Sequence, residues 1–266
     1  MTETSPTALA AVVARVRGAA GALDAPAPPH GLAAFRILFG AVMAFAAARY
    51  ASMGWIDSII VAPSYHFTYA YLRWIEPVGG HLGANLQVAI IGASALALAV
   101  GIRARASAAV LFLSFTWLEL TEKAAYLNHY YLVSLLALLL AIVRTDHVWA
   151  LWPEREGTAR WRDYWLLRGQ MVMVYGFASF AKINSDWLLR GEPLHTWLQA
   201  HRGIPFVGEW LVMSEVAIAM SWGGFLFDGT IWLFLLHPRT RAPAFAVALF
   251  FHITVWSLFP IGVFSW

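Results

Sequence analysis

Two lysines stand out among the side chains that could do chemistry in this sequence. All but two of its 18 lysine and arginine residues are arginine, and the exceptions are Lys123 and Lys182. An arginine keeps its proton in a protein, whereas a lysine desolvated by apolar neighbours can lose it and act as a base. Lys182 follows an uncharged segment, 171–181. It is therefore a candidate general base, and the alternative is a lysine whose ammonium group extends outward to water.

Three polar side chains precede Lys182 at helical spacing. Arg168, Tyr175 and Ser179 fall within about 60° of it around a helix with 3.6 residues per turn. They form one polar stripe on an otherwise apolar helix, and such a stripe is expected to face other helices. Tyr175 and Ser179 are thus candidate substrate-binding residues beside the base.

Further titratable residues lie at or within other apolar segments. His129 opens one of them, directly after Asn128, and is either a hydrogen-bonded anchor or a second catalytic residue. His252 lies near the middle of the last segment, where the choice is between a satisfied core histidine and substrate binding. Glu215 is a further candidate for binding substrate. No histidine pair has metal-ligand spacing with a carboxylate and there is no cysteine, so the sequence predicts no metal site.

Three charged residues lie within apolar segments, toward the ends of those segments that are opposite to the membrane face of Lys182 and His129. They are Arg36, Arg168 and Asp228. A charge near the centre of a membrane helix costs about 2.5–3.5 kcal/mol on insertion scales, and such charges usually pair. We therefore expect a structural ion pair between Asp228 and either Arg36 or Arg168.

The elements that position these residues are predicted to be helices in a lipid bilayer. Of the 266 residues 60% are hydrophobic and 12% charged, and the mean hydropathy is +0.63. A soluble domain carries roughly 25% charged residues. The net charge of +3 does not indicate nucleic acid, because the arginines lie in short loops between apolar segments. The composition therefore predicts that the protein lies in the lipid bilayer, which is its expected partner.

Seven apolar segments are long enough, or nearly so, to cross a bilayer as helices. They span 31–52, 84–102, 106–121, 127–144, 164–182, 209–236 and 242–259. The sixth contains Gly223 and Gly224, so it crosses either once or as two half-helices. The sequence predicts an all-α, polytopic integral membrane bundle of about seven (7–8) transmembrane helices, with outer interfacial helices. Residues 1–30 are predicted to form an N-terminal amphipathic and linker segment, and 31–266 the transmembrane domain.

Arginine clusters orient these segments. The clusters lie before the first segment, between the second and third, after the fourth and before the seventh. Their members are Arg15, Arg17, Arg103, Arg105, Arg144, Arg155, Arg160, Arg162, Arg239 and Arg241. Seven crossings alternate correctly if all four clusters and the N-terminus are cytoplasmic. Lys182 and His129 then lie toward the outer face. The aromatic segments 53–83 and 183–208 are expected to lie in the outer interface.

Short motifs in order along the chain resemble the membrane domain of the vitamin K-dependent γ-glutamyl carboxylases, also called the HTTM domain. The matching stretches are 35–40 (FRILFG), 128–132 (NHYYL), 167–170 (LRGQ), 181–187 (AKINSDW), 224–228 (GFLFD), 251–252 (FH) and 259–264 (FPIGVF). Together they extend over about 35–264 with spacing similar to that of the family.

The resemblance implies chemistry on a reduced quinone. In those enzymes a lysine at the position of Lys182 is a neutral base for vitamin K hydroquinone, which reacts with O₂ and ends as its epoxide. The alkoxide formed on the way removes a γ-proton from glutamate, and the carbanion takes up CO₂. The histidine matching His129, with Asn128 beside it, assists that step. The implied cosubstrates are a lipophilic quinol, O₂ and CO₂ without a metal, and a glutamate-bearing peptide or protein is a further partner.

Full-length carboxylases continue past this region with a further span and a large soluble domain that helps bind the protein substrate. The present sequence ends at Trp266, so we expect a short or truncated member without that domain. The leading expectation is quinone oxygenation, coupled to glutamate carboxylation or not. The alternatives are a non-catalytic quinone- or lipid-binding membrane protein or assembly partner and, third, a transporter.

Overall fold

The computed structural model describes residues 15, 17, 18, 20–153 and 157–259. Their regular structure is helical, with isolated bridges but no β-strand among them, which confirms the predicted all-α class. Most of the predicted N-terminal amphipathic helix, Arg155, and 260–264 of the last motif lie outside the described residues. The chain divides into two compact units, Met1–Leu167 and Arg168–Trp266.

Four long helices lie between His30 and Ile142 in the first unit. They are α1 (His30–Ser52), α2 (Gly80–Val100), α3 (Ala104–Thr121) and α4 (Asn128–Ile142). Each packs against the next along the chain. The contact of α1 with α2 depends on Gly40, where a Cβ would lie only 2.7 Å from the backbone O of Ala95 and N of Ala99. A small residue is what lets two membrane helices approach so closely.

Backbone hydrogen bonds join three loops at one end of this unit. The loop after α4 donates from Leu151 N to Val100 O over 2.9 Å. The linker before α1 donates from Ala27 N to Ala159 O over 2.8 Å. The arginine-bearing loops of the first unit therefore share one end, as the pattern of basic residues predicts.

The opposite end of the first unit carries the aromatic segment after α1. Its regular part is a π-helical stretch, Ile56–Val61, and no helix follows until Gly80. Helical structure in 53–83 is limited to this stretch and the start of α2, because Pro63, Pro77 and the left-handed Gly79 (φ 72°) interrupt the chain between them. Lys123 N donates to Phe67 O over 2.7 Å, which ties this segment to the α3–α4 connection.

The second unit is organised around the helix Ser214–Leu236, against which its other helices pack. After α5 (Trp161–Ala181), within which the boundary between the units falls, it contains α6 (Ser185–Arg190), α7 (Leu194–Leu198), α8 (Gly208–Leu211), α9 (Ser214–Leu236) and α10 (Arg241–Leu258). Helix α9 packs against α6, α7 and α10. The short helices α6 and α7 confirm that 183–208 is not a free loop.

Helix α9 is continuous from Ser214 to Leu236, so the glycines do not divide it into two half-helices. It passes through Gly223 and Gly224 without a break. A Cβ on the buried Gly224 would lie 3.8 Å from Trp187 Cζ2 and 4.0 Å from Lys182 Cε. Gly224 therefore lies beside these two side chains, and a Cβ there would make ordinary van der Waals contacts with them.

Four described helices are long and apolar enough to cross a membrane, namely α1, α2, α9 and α10. Large apolar side chains are exposed on them, including Leu38, Phe45, Leu82, Leu86, Leu249 and Phe250. These features support membrane association. Length and composition do not extend this result to seven, because α4 has only 15 residues and α3 and α5 are not apolar enough over 18 residues.

Candidate functional site

Lys182 lies directly after α5, and its side chain folds back along that helix. Its Nζ donates to Asp228 Oδ2 over 2.6 Å and to Ala178 O over 3.2 Å. The side chains of Lys182 and Asp228 are 19% and 9% exposed. Lys182 is thus a largely buried half of an ion pair with α9, and its ammonium group does not extend outward to water.

Trp187 forms one wall of the space around the ammonium group. The centroid of its ring lies 5.0 Å from Lys182 Nζ, within the range of a cation–π contact. Its Nε1 donates to Ser221 O on α9 over 2.8 Å. Asn184 fixes the start of α6, since its side chain caps this helix by accepting a hydrogen bond from Trp187 N over 2.9 Å. The motif 181–187 therefore folds its lysine and its tryptophan against the same helix.

Ser179 links α5 to α9 by a hydrogen bond. Its Oγ donates to Phe225 O over 3.2 Å. A Cβ on Gly229 would lie 3.0 Å from that Oγ, so the glycine makes room for the serine. Ser179 is bonded to the backbone and positions the two helices that carry Lys182 and Asp228.

Tyr175 and His252 connect α5 to α10. The Tyr175 hydroxyl and His252 Nε2 are hydrogen-bonded at 3.2 Å. Phe227 contacts both rings edge-on and stacks on Phe251 at 3.8 Å. His252 also interacts electrostatically with Asp228. The predicted polar stripe thus faces neighbouring helices at Tyr175, Ser179 and Lys182.

The partner of Asp228 differs from the predicted one. The sequence places Asp228 in a layer with Arg36 and Arg168, but its carboxylate is bound by Lys182. Arg168 is 14 residues before Lys182, which corresponds to about 21 Å of helix rise. The assignment fails because α6 and α7, which follow Lys182 in the chain, pack beside the first half of α9. Lys182 itself therefore lies beside the second half of α9, where Asp228 is located.

Arg36 also differs from its predicted role in an ion pair. It is fully buried in α1, and its guanidinium donates to the backbone oxygens of Thr145, over 3.0 Å, and Trp149. The charge is therefore solvated by main-chain carbonyls of the loop after α4.

Glu215, predicted to bind substrate, is not beside Lys182. It is exposed in the first turn of α9 and accepts a hydrogen bond from Ser214 Oγ over 3.1 Å. Thirteen residues, or about 20 Å of helix, separate it from Asp228. Nothing at this position connects Glu215 with the ion pair.

His129 and Asn128 belong to the first unit, where they begin α4. Asn128 is exposed, and the half-buried His129 ring lies edge-on to Tyr130 at 4.7 Å. The lysine and the histidine assigned to one mechanism therefore lie in different units of the chain.

A second polar cluster in the first unit was not predicted. The buried Glu122 accepts from Ala124 N over 2.8 Å, and its Oε2 lies 3.1 Å from His66 Nδ1. Burial raises the pKa of the nearby Tyr69 hydroxyl, and the charge of Glu119 adds to the effect. Residue types alone did not reveal this cluster, because His66 lies 56 residues before Glu122.

No group of three or more potential ligands suitable for a metal ion occurs among the described residues. For chemistry, the second unit offers the Lys182–Asp228 ion pair, the aromatic wall of Trp187 and the hydrogen bond between Tyr175 and His252.

Two comparisons with known proteins bear on this arrangement. The family model described as the HTTM domain matches residues 25–266. No solved structure matches the chain significantly.

Proposed function

The chain belongs to the HTTM domain family, and from this premise we propose that it is a membrane enzyme that oxygenates a reduced quinone, with Lys182 at the reacting hydroxyl. The domain relates it to the vitamin K-dependent carboxylases. The observation that carries the proposal is the inward position of Lys182, bonded to Asp228 and walled by Trp187.

The surroundings of Lys182 suit a lipophilic quinol. Phe177 and Phe180, in the last turns of α5, are 71% and 72% exposed and offer an apolar surface to a hydrocarbon tail. A long-tailed quinol partitions into lipid, so its head group meets polar groups at the depth of a helix end. The low water content there disfavours the charged form of a lysine and keeps water away from a strong base.

The proposed membrane arrangement has seven crossings with Lys182 and His129 toward the outer face. It is supported by the arginine-bearing loops that share one end of the first unit and by the positive-inside rule. The segments 106–121 and 164–182 then cross as α3 and α5 in spite of their charges. In this arrangement His129 and Asn128 would serve glutamate carboxylation, where that step follows oxygenation.

The test uses purified protein in lipid nanodiscs with a reduced naphthoquinone and O₂, and measures the epoxide. We expect Lys182→Ala to lower the initial rate by about 100-fold or more, the usual contribution of a positioned base. Lys182→Arg is the second variant, since it retains a cation for Asp228 but cannot act as a base.

The matched control is Lys123→Ala, which removes the other lysine of the chain. Lys123 is exposed, and its Nζ lies 5.8 Å from the centroid of the Tyr69 ring. This variant should retain the wild-type rate. Equal epoxide yields from wild type and Lys182→Ala would show that Lys182 is not the base.

One observation favours a second function, a non-catalytic quinone- or lipid-binding protein. Lys182 is already in an ion pair, and an ammonium group cannot accept a proton. The signature of this function is quinone binding that survives both Lys182→Ala and His129→Ala, with no epoxide formed by the wild type.

A further inference from the structure

Lys182 is surrounded by groups that stabilise its charged form. The three contacts of Nζ are the Asp228 carboxylate at 2.6 Å, the Ala178 carbonyl at 3.2 Å and the face of the Trp187 indole at 5.0 Å. Each is electron-rich, so each favours an ammonium over a neutral amine. The member of the cluster that can gain a proton at this position is Asp228.

We propose that the base is the Lys182–Asp228 pair and that the proton of the quinol comes to rest on the Asp228 carboxylate. The inference rests on the proposed function and assigns the proton to a second residue. Lys182 transfers one proton to Asp228 as it takes another from the substrate, so it faces the product as an ammonium group.

The step balances without any further reactant. One O–H bond of the quinol breaks and one N–H bond forms at Lys182. One N–H bond of Lys182 breaks and one O–H bond forms at Asp228 Oδ2. No electrons are transferred at this stage, and the products are a quinolate beside an ammonium and a neutral carboxylic acid.

The placement of the two side chains fits this order. Lys182 is the more exposed member, at 19% against 9% for Asp228, so a substrate reaches the lysine first. The carboxylate lies behind it on α9, shielded from water. A neutral carboxylic acid needs less solvation at such a position than a carboxylate does. The ammonium beside the quinolate then stabilises its negative charge before O₂ reacts.

Two other titratable groups face the pair, one from each neighbouring helix. Tyr175 comes from α5 and His252 from α10, and they are hydrogen-bonded to each other at 3.2 Å. His252 interacts electrostatically with Asp228.

The test compares wild type with Asp228→Asn and Asp228→Glu in the epoxide assay, using two naphthohydroquinones of different acidity. Asparagine retains a hydrogen-bond acceptor for Lys182 but cannot be protonated, whereas glutamate retains the carboxylate. We expect Asp228→Asn to be slower by about 100-fold and Asp228→Glu to recover most of the rate. The deficit of Asp228→Asn should narrow with the more acidic hydroquinone, because that substrate depends less on a base.

Asp186→Asn is the matched control. Asp186 is an aspartate on α6 with a 64% exposed side chain, paired with Arg190 at 2.8 Å. Its variant should retain the wild-type rate with both substrates, and the melting temperature of each variant reports whether the fold is intact.

A measurement on wild-type protein keeps the inference testable if Asp228→Asn does not fold. Quinol added without O₂ should produce the infrared carbonyl band of a newly protonated carboxylic acid. Its absence would overturn the inference. So would an Asp228→Asn variant that equals or exceeds wild type, or one impaired equally with both hydroquinones.

The experiments distinguish a failure of this inference from a failure of the proposed function. If Lys182→Ala is inactive and Asp228→Asn is active, Lys182 acts alone and the oxygenase proposal stands. If the wild type forms no epoxide with either hydroquinone, the oxygenase proposal itself is wrong.

Discussion

Arg36 is a buried cation that connects helix α1 to the loop after α4. Its guanidinium is fully buried and bonds to backbone oxygens of Thr145 and Trp149, more than 100 residues away along the chain. Arginine keeps its charge in any protein environment and offers five donors in a rigid fork. A fork of this kind can bind two carbonyl groups, which fastens the loop after α4 to α1.

At this residue we predict that Arg36→Met destabilises the protein. The variant preserves much of the apolar stem but leaves two carbonyl groups without their donors. An unsatisfied buried polar group costs about 1–3 kcal/mol. Thermal unfolding in detergent, followed by intrinsic tryptophan fluorescence, measures the change. Arg73→Met, at an exposed position, should leave the melting temperature unaltered, and the prediction fails if both variants melt together.

At the scale of helices, glycines decide where backbones meet. Gly40 lies against the backbone of α2, which cannot move aside as a side chain can. Gly223 in α9 has no atom within 4 Å of a Cβ built on it. The two positions therefore have opposite tolerance for an added methyl group, although both lie in helix interiors.

Gly40→Ala should destabilise the first unit, and Gly223→Ala should not. Overpacking costs about 1–3 kcal/mol, whereas alanine at an open helical position gains up to about 1 kcal/mol over glycine. The melting temperatures of the two variants in the same detergent measure this contrast. Equal shifts for the pair would mean that α1 and α2 do not meet closely at Gly40.

At the scale of the whole molecule, the testable property is the side of the membrane on which each loop lies. Basic loops share one end of the first unit, and the positive-inside rule assigns such loops to the cytoplasm. The sequence contains no cysteine, so an introduced cysteine is the only thiol of the protein that a maleimide can label.

We predict that a membrane-impermeant maleimide labels Ala200→Cys in intact cells but labels Thr158→Cys only after the cells are permeabilised. Both positions are exposed; Ala200 follows α7, and Thr158 lies in the basic loop before α5. The reverse labelling pattern would invert the proposed orientation and place Lys182 toward the cytoplasm.

Much of the local structure is predictable from the sequence. The apolar composition indicates a membrane protein, and the spacing of Tyr175, Ser179 and Lys182 predicts a polar face that the hydrogen bonds of these residues confirm. Composition and helical periodicity are properties of a single segment, so they can be predicted from the sequence of that segment alone. The chemical distinction of Lys182 from the arginines is equally a property of residue type.

Only the tertiary structure decides which residues meet. Helix α9 is apolar on nearly all of its surface, so its sequence does not show which face meets α5. Counting inward from its predicted end separates Asp228 from Lys182, but α6 and α7 occupy the first half of α9. The ion pair forms where α5 crosses the remaining half, at a level fixed by the packing of Trp187, Gly224 and Gly229. The sequence by itself therefore determined the candidate base, and the packing of neighbouring helices determined its partner.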